Sequence, residues 1–283
     1  MNLVSRMSLL FLALTTCVGF AHDRFIVPSH TILSGEKTKS VSLTASISND
    51  VFHPDRPLGD NGKGWVPPSL KAYFDRMETT VILPDGSKDP SFALQSFRRF
   101  SAGDLELKQD GTYRISLVHD EAPMVTFTKA DGSFGRAFGK EARVPEGATK
   151  VVRKTTASRV ETFVTRNNAN RAAIQPTGHL LELAGSAHPN DLFVGEAVSF
   201  QLFHAGKPLA KPAEVVLVRG GTRHRNQRDK IEATTDATGT FEVVFPEAGF
   251  YLLQTEVMVP GRPGSGMQEH WYSLFVTLEV FPM

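Results

Sequence analysis

The chain has 283 residues, with 31 Lys and Arg against 30 Asp and Glu, nine His and one Cys. So even a charge balance gives no field to hold nucleic acid or an anionic membrane surface, and a single cysteine makes no internal disulfide. The length suits one large or two ordinary domains, whose stability must come from apolar cores.

Residues 1–21 read as a secretory signal peptide. Arg6 is the positive start, Met7 to Ala13 the apolar run, and Gly19-Phe20-Ala21 a small-x-small cleavage site. The run is too short to span a bilayer, so no transmembrane segment is expected in the mature chain. Cleavage would make His22 the amino terminus, remove Arg6 and Cys17, and leave 30 basic and 30 acidic residues. The expected location is the periplasm. Lipid anchoring at Cys17 is the alternative, for which Thr16 is a poor preceding residue.

The mature chain opens with an apolar run, Arg24 to Val27, stopped by Pro28-Ser29. Val41, Leu43, Ala45 and Ile47 then alternate with Ser and Thr, as a strand with one wet face does. Asn49 to Pro68, rich in Gly, Pro and Asp and holding His53 and Trp65, reads as a long surface loop. Lys71 to Met77 allows a turn or two of helix. Thr79 to Leu83 starts a hairpin, and Tyr113, Ile115 and Leu117 mark a strand expected to end at His119-Asp120-Glu121. Residues 131–147 read as loop, and Arg159 to Thr165 as a β-branched bridging strand.

After a polar linker, Leu180 to Leu183, Val198-Phe200-Leu202, Val215 to Val218, Phe241-Val243-Phe245, Tyr251 to Val257 and Trp271 to Phe281 are strands separated by turn signals. The spacing predicts an all-β protein: two immunoglobulin-like β-sandwich domains in tandem after the cleaved signal peptide, over 22–150 and 178–283, with 151–177 between them.

Several short motifs, in this order, carry a resemblance. They are His22 with Ile26-Val27-Pro28-Ser29, Ser48-Asn49-Asp50-Val51-Phe52, Arg159-Val160-Glu161-Thr162-Phe163-Val164-Thr165, His188-Pro189-Asn190-Asp191-Leu192-Phe193 and Thr277-Leu278-Glu279-Val280. The chain resembles a family of exported bacterial domain-of-unknown-function proteins often filed with nickel-uptake substrate-specific components. The resemblance implies two β-sandwiches and a role in transition-metal uptake, with a membrane metal-uptake system as partner. The sequence departs from the family pattern at Asp23-Arg24-Phe25, where a Trp-containing start is usual, and at His53-Pro54-Asp55-Arg56, where a more aromatic run is usual.

Four histidines are candidate metal ligands. Cleavage would give His22 an α-amino nitrogen beside its imidazole, a donor pair suited to Cu²⁺ or Ni²⁺. His119 ends a strand beside two acids, and alternation would put His119 and Glu121 on one face. His53 stands two residues from Asp55 on the long loop, and His188 is the histidine matched by the family motif. The bland alternative for each is a solvated strand end or a packed turn. His30, His179, His204 and His270 have no local partner pattern and read as surface or satisfied histidines. The basic run Arg219 to Lys230 reads as a solvated hairpin, and no nucleophile elbow, phosphate loop or HExxH is present.

The expected function is a periplasmic binding protein for nickel, cobalt or copper that does no chemistry of its own. A non-metal module binding a protein or glycan partner through the Trp65 loop is the alternative. A copper oxidative enzyme built on the amino-terminal His is a third reading.

Overall fold

The structure is a computed structural model that describes residues 22–283. The segment expected as a signal peptide, with its expected cleavage site and Cys17, lies outside the described residues. In chain order the first half contains β1 (Asp23–Pro28), β2 (Ile32–Leu33), β3 (Lys39–Ser48), β4 (Arg56–Pro57), α1 (Pro68–Phe74), β5 (Met77–Ile82), β6 (Lys88–Asp89), β7 (Gln95–Ser96), β8 (Ser101–Leu107), β9 (Gly111–Thr128), β10 (Phe134–Phe138) and β11 (Thr149–Arg166). The second half contains β12 (Leu181–Ala184), β13 (Ala197–His204), β14 (Lys207–Pro208), β15 (Glu214–Arg219), β16 (Ile231–Thr234), β17 (Thr240–Val244), β18 (Gly249–Pro260) and β19 (Glu269–Val280). No helix among the described residues is long and apolar enough to cross a membrane.

The strands form three sheets. A ten-stranded sheet runs β16-β15-β18-β19-β11-β9-β5-β6, with β10 on β9 and β2 on β11; a five-stranded sheet runs β1-β3-β8-β7, with β4 on β3; a four-stranded sheet runs β12-β13-β14, with β17 on β13. The large sheet is shared by both halves of the chain. Its join is β11, antiparallel to β9 on one side and parallel to β19 on the other, from Lys154↔Glu269 to Thr162↔Thr277.

The period of two along these strands sorts the core into two. Val215, Leu217, Leu253, Leu274, Val276 and Phe163 face the four-stranded sheet and pack with Leu181, Leu183, Phe200 and Phe241. Their neighbours Val216, Val218, Leu252, Phe275 and Val164 face the five-stranded sheet and pack with Phe25, Val41, Leu43 and Leu105. Strands buried on both faces read as continuous apolar runs, which is why Glu214–Arg219 carries Val-Val-Leu-Val. The immunoglobulin-like sandwich architecture expected from the turn spacing is therefore present as two cores on opposite faces of one common sheet.

Two local expectations are corrected. β9 does not end at Glu121 but continues to Thr128, because β10 and β11 both pair with its far half. For the same reason Phe134–Phe138, expected as loop, is a strand. The bridging segment Arg159 to Thr165 is the interior of an 18-residue strand. Alternation within a segment cannot register partners that lie far away in sequence.

Candidate functional site

The continuation of β9 passes through a bulge. Thr156 pairs with Ala122 and Ser158 with His119, so the single residue Ala157 stands opposite both Asp120 and Glu121. An extra residue in one strand interrupts alternation and re-aims the side chains that follow. His119 therefore keeps to the five-stranded-sheet side, where its ring stacks on Tyr73 with centroids 4.2 Å apart. Asp120 and Glu121 both turn to the other face. There they line an open cleft of about 430 Å³ with His179, Leu180, His204 and Tyr272.

Three further segments supply the cleft's remaining side chains. His179 and Leu180 come from the turn before β12. His204 is the last residue of β13, held there by a two-residue turn in which Ala205 and Gly206 both have positive φ, 50° and 77°. That is the turn geometry favoured for tight hairpins. Leu180, at φ 59°, is a second non-glycine residue in the left-handed region at this wall, and Ala205 N–H donates to its carbonyl at 2.9 Å. Strained non-glycine residues gather at ligand sites more than elsewhere. Tyr272 comes from β19; outside the lining, His270 on the same strand stands directly opposite Thr155 on β11.

Glu121 is the best-held group in the cleft. Tyr272 O–H donates to its Oε1, and Thr155 Oγ1 donates to its Oε2 at 3.2 Å. His270 Nδ1 lies 2.7 Å from Thr155 Oγ1 and 3.5 Å from Glu121 Oε2. With the hydroxyl proton directed to Glu121, His270 Nδ1–H is the donor to Thr155 Oγ1. Burial, and then the neighbouring Glu121 carboxylate, push the Tyr272 phenol up, so it stays a donor. Burial pushes His204 below the ordinary imidazole value, partly opposed by Glu121, so its ring is neutral at pH 7. Among the described residues the His204 ring nitrogens have no hydrogen-bond partner; the ring lies against Tyr272 at 4.4 Å. At the rim, His179 Nε2 donates to Asp120 Oδ1 at 2.9 Å.

The turn carrying His179 is fixed from beneath. Glu182, fully buried, accepts from Thr177 N and Oγ1 (2.9 and 2.7 Å), from Gly178 N (2.8 Å) and from His179 N (3.2 Å). Burial alone would raise the Glu182 carboxyl, but Arg114 and the Thr177 donors hold it below the usual range. Arg159 Nη2 donates to the His179 carbonyl at 2.6 Å. The cleft wall is thus tied to buried charges on β9 and β11.

The family model of a domain of unknown function, DUF4198, matches residues 19–259. The chain belongs to that family. No curated protein matches it in sequence. Among solved structures it is similar to an I-band fragment of titin, at 6% identity and a TM-score of 0.20, over 92% of this chain and 66% of that one. It is also similar to the Escherichia coli alpha-2-macroglobulin activated by porcine elastase, at 11% identity and a TM-score of 0.21, over 90% of this chain and 31% of that one.

In this DUF4198 chain the four histidines singled out by sequence are dispersed. His22 is exposed at the entrance to β1, next to Asp23, whose buried carboxylate accepts from Arg228 Nη2 at 2.7 Å and Gln254 Nε2 at 2.8 Å. His53 is exposed on the long loop and touches Arg223 through Nε2. His119 is 5% exposed and packed on Tyr73. His188 has both ring nitrogens engaged: Asn190 N–H donates to Nδ1 at 3.2 Å, and Nε2 lies 3.0 Å from the Asn170 carbonyl and 3.1 Å from Thr112 Oγ1. That ring holds a turn together and has no lone pair to spare. Among the described residues, no group of three or more His, Cys, Asp or Glu side chains is arranged to hold a metal ion.

Sequence reasoning passed over His179, His204 and His270, because none has a partner nearby in sequence. It paired Glu121 with His119 by alternation, which the bulge reverses. The doubled acid Asp120-Glu121 following a histidine is the one local signal that points to the cleft. The alternative surface, Trp65, is 39% exposed, with the Arg98 guanidinium over its ring at 4.3 Å. The basic run is also less solvated than expected. Arg225 donates to the carbonyls of Arg219, Gly220 and Arg228, while Arg228 reaches Asp23 and the Asn49 carbonyl.

Proposed function

We propose that this protein is an exported carrier that binds a divalent transition-metal ion, nickel, cobalt or copper, and hands it to a membrane uptake system. The carrying observation is the cleft, where two carboxylates and the imidazoles of His179 and His204, from separate elements, stand around one opening. Imidazole and carboxylate together suit these ions, and a ligand histidine must be unprotonated, as burial makes His204. His204 and Glu121 are the donors of this reading. Thr155, His270 and Tyr272 orient Glu121, as the groups behind a metal ligand commonly do.

Calorimetric titration of the mature protein with Ni²⁺, Co²⁺ and Cu²⁺ tests it. His204→Ala and Glu121→Gln are each expected to weaken binding about tenfold to a hundredfold, and His188→Ala to leave the affinity of folded protein unchanged. Failure of all three ions to bind at near-stoichiometric concentration would sink the reading. Binding lost only in His22→Ala would move the site to the amino terminus.

A further inference from the structure

We infer that the arm of the large sheet beyond the β9 bulge is a docking face for an anionic phospholipid surface, which brings the protein to a membrane. No residue lining the cleft takes part, so this face and the metal reading stand or fall separately.

The even charge of the whole chain conceals a local excess. From Ala122 to Thr156, the arm bounded by the bulge, there are seven Lys and Arg against three Asp and Glu. The other described residues carry the opposite excess, 23 basic against 27 acidic. Residues directly opposite each other on neighbouring strands share a face. One row across the arm is Phe138, Met124, Lys154 and Glu269, and the next is Ala122, Thr156, Trp271 and Met258. Arg136 and Phe134 stand on the same face as Phe138, at a period of two along β10. Trp271 lies four residues before Phe275, so this is the face that the five-stranded sheet covers farther along β19. Out on the arm, neither core takes in Phe134, Phe138, Met124, Trp271 or Met258. Phe134 is 69% exposed, Phe138 64% and Met258 42%. Two cations lie over rings of this face, Arg136 over Phe138 at 5.7 Å and Lys154 over Trp271 at 4.6 Å. The acid in these rows, Glu269, accepts from Trp271 Nε1 at 2.7 Å.

Exposed aromatic rings beside long cations suit a lipid interface, where the rings enter at the headgroup level and Arg and Lys reach the phosphates. The excess of positive charge selects an anionic surface over a zwitterionic one. A strand added to the edge of β10 fits less well. Lys129 N–H donates to the Ser133 carbonyl and Gly139 N–H to the Pro123 carbonyl, so Phe134, Arg136 and Phe138 turn their backbone groups outward. That edge is only five residues long, and Arg136 at its centre is the kind of charge that guards an edge against pairing. The rings stand on the face, where they remain free to meet lipid.

Co-sedimentation of the protein with vesicles tests this, using phosphatidylglycerol and phosphatidylcholine in equal parts against phosphatidylcholine alone. Binding to the anionic vesicles is expected to be about tenfold tighter or more, and to weaken as salt is added. Phe134→Ser combined with Phe138→Ser is expected to weaken it about tenfold or more, and Arg136→Glu to shrink the preference for the anionic vesicles. These side chains are exposed, and circular dichroism checks that the variants keep their fold. Trp65 and Trp271 are the two tryptophans, so Trp65→Phe leaves Trp271 as the reporter, and its emission is expected to shift to the blue on anionic vesicles. No binding to the anionic vesicles at low salt, or binding that the double substitution leaves unchanged, overturns the proposal. So does a dimer detected by ultracentrifugation and lost in the same variant, which would assign the face to a second copy.

Discussion

Arg114→Met is expected to cost about 3–5 kcal/mol of folding stability, because it leaves two buried carboxylates, Glu161 and Glu182, with Arg159 as the one cation between them among the described residues. Arg114, Glu161 and Glu182 are all fully buried between the large sheet and β12. The guanidinium donates from Nε to Glu161 Oε1 at 2.8 Å, from Nη2 to Glu182 Oε1 at 3.0 Å, and from Nη1 to the Gln175 carbonyl at 3.2 Å. Glu161 also accepts from Ser116 Oγ at 2.8 Å and Arg159 Nη1 at 2.9 Å. Methionine matches the aliphatic stem and vacates only the space of the guanidinium's outer atoms, so the loss reports charge and hydrogen bonding more than a cavity.

The network is not a net stabiliser merely because its members are paired. Among the described residues Glu161 Oε2 and Arg159 Nε are buried with no hydrogen-bond partner, and desolvation offsets much of the attraction. Removing one member is what costs. Arg114→Met with Glu161→Gln is therefore expected to recover about 1–2 kcal/mol relative to Arg114→Met alone, the sign of a coupled pair. Urea unfolding of the protein followed by circular dichroism measures both. A single variant within 1 kcal/mol of wild type would mean that water reaches these carboxylates. Because Glu182 also caps the turn bearing His179, the same variant is expected to loosen the cleft.

This network shows where the sequence is legible and where it is not. The strands were readable because each carries its own alternation: Val41, Leu43 and Ala45 on β3, or Leu274, Val276 and Leu278 on β19, are buried as a period of two requires. The tight turns at Ala205-Gly206 and Asp236 to Gly239 were readable from their residues alone. What joins the halves was not. The parallel pairing of β11 with β19 depends on shape between segments more than a hundred residues apart, and nothing local in Arg159 to Thr165 distinguishes a bridge from the middle of a sheet. The cleft was hidden for the same reason. Thr155 meets His270, and Glu121 meets Tyr272, only through that pairing. Asp120 and Glu121 share a face only through a bulge, one extra residue that alternation cannot anticipate. Arg114 and Glu161 are a further case: nothing local in their strands marks these charges as buried, and partners distant in sequence bury them.

Acidification is the second large effect expected, and His119 carries it. Its ring is buried against Tyr73, and burial first, then the charges of Arg24 on β1 and Arg76 after α1, push it from the ordinary 6.5 down to about 4, against the weaker pull of Asp120. The folded protein holds His119 neutral where the unfolded chain is already protonated. Between pH 6.5 and 4 the unfolded state binds more protons, so stability rises with pH in this window and is lost as pH falls through it. Complete protonation of both states corresponds to a loss of roughly 3 kcal/mol.

The carboxylates Asp60 and Glu182 are held below their ordinary values, so their contribution is also lost in acid, but only as pH falls below the ordinary carboxylate range. Glu256, raised by burial, acts in the opposite sense: it favours the folded state at low pH and loses that contribution as pH rises. His188 and His204 are lowered like His119 and add to the same limb, so a substitution must isolate His119. His119→Phe keeps a flat ring on Tyr73 and cannot titrate. Urea midpoints measured from pH 7 to pH 4 are expected to fall steeply for wild type and to be flatter for His119→Phe by about the amount above. Identical limbs in the two proteins would show that His119 protonates freely in the folded state and that its stacking on Tyr73 opens in solution.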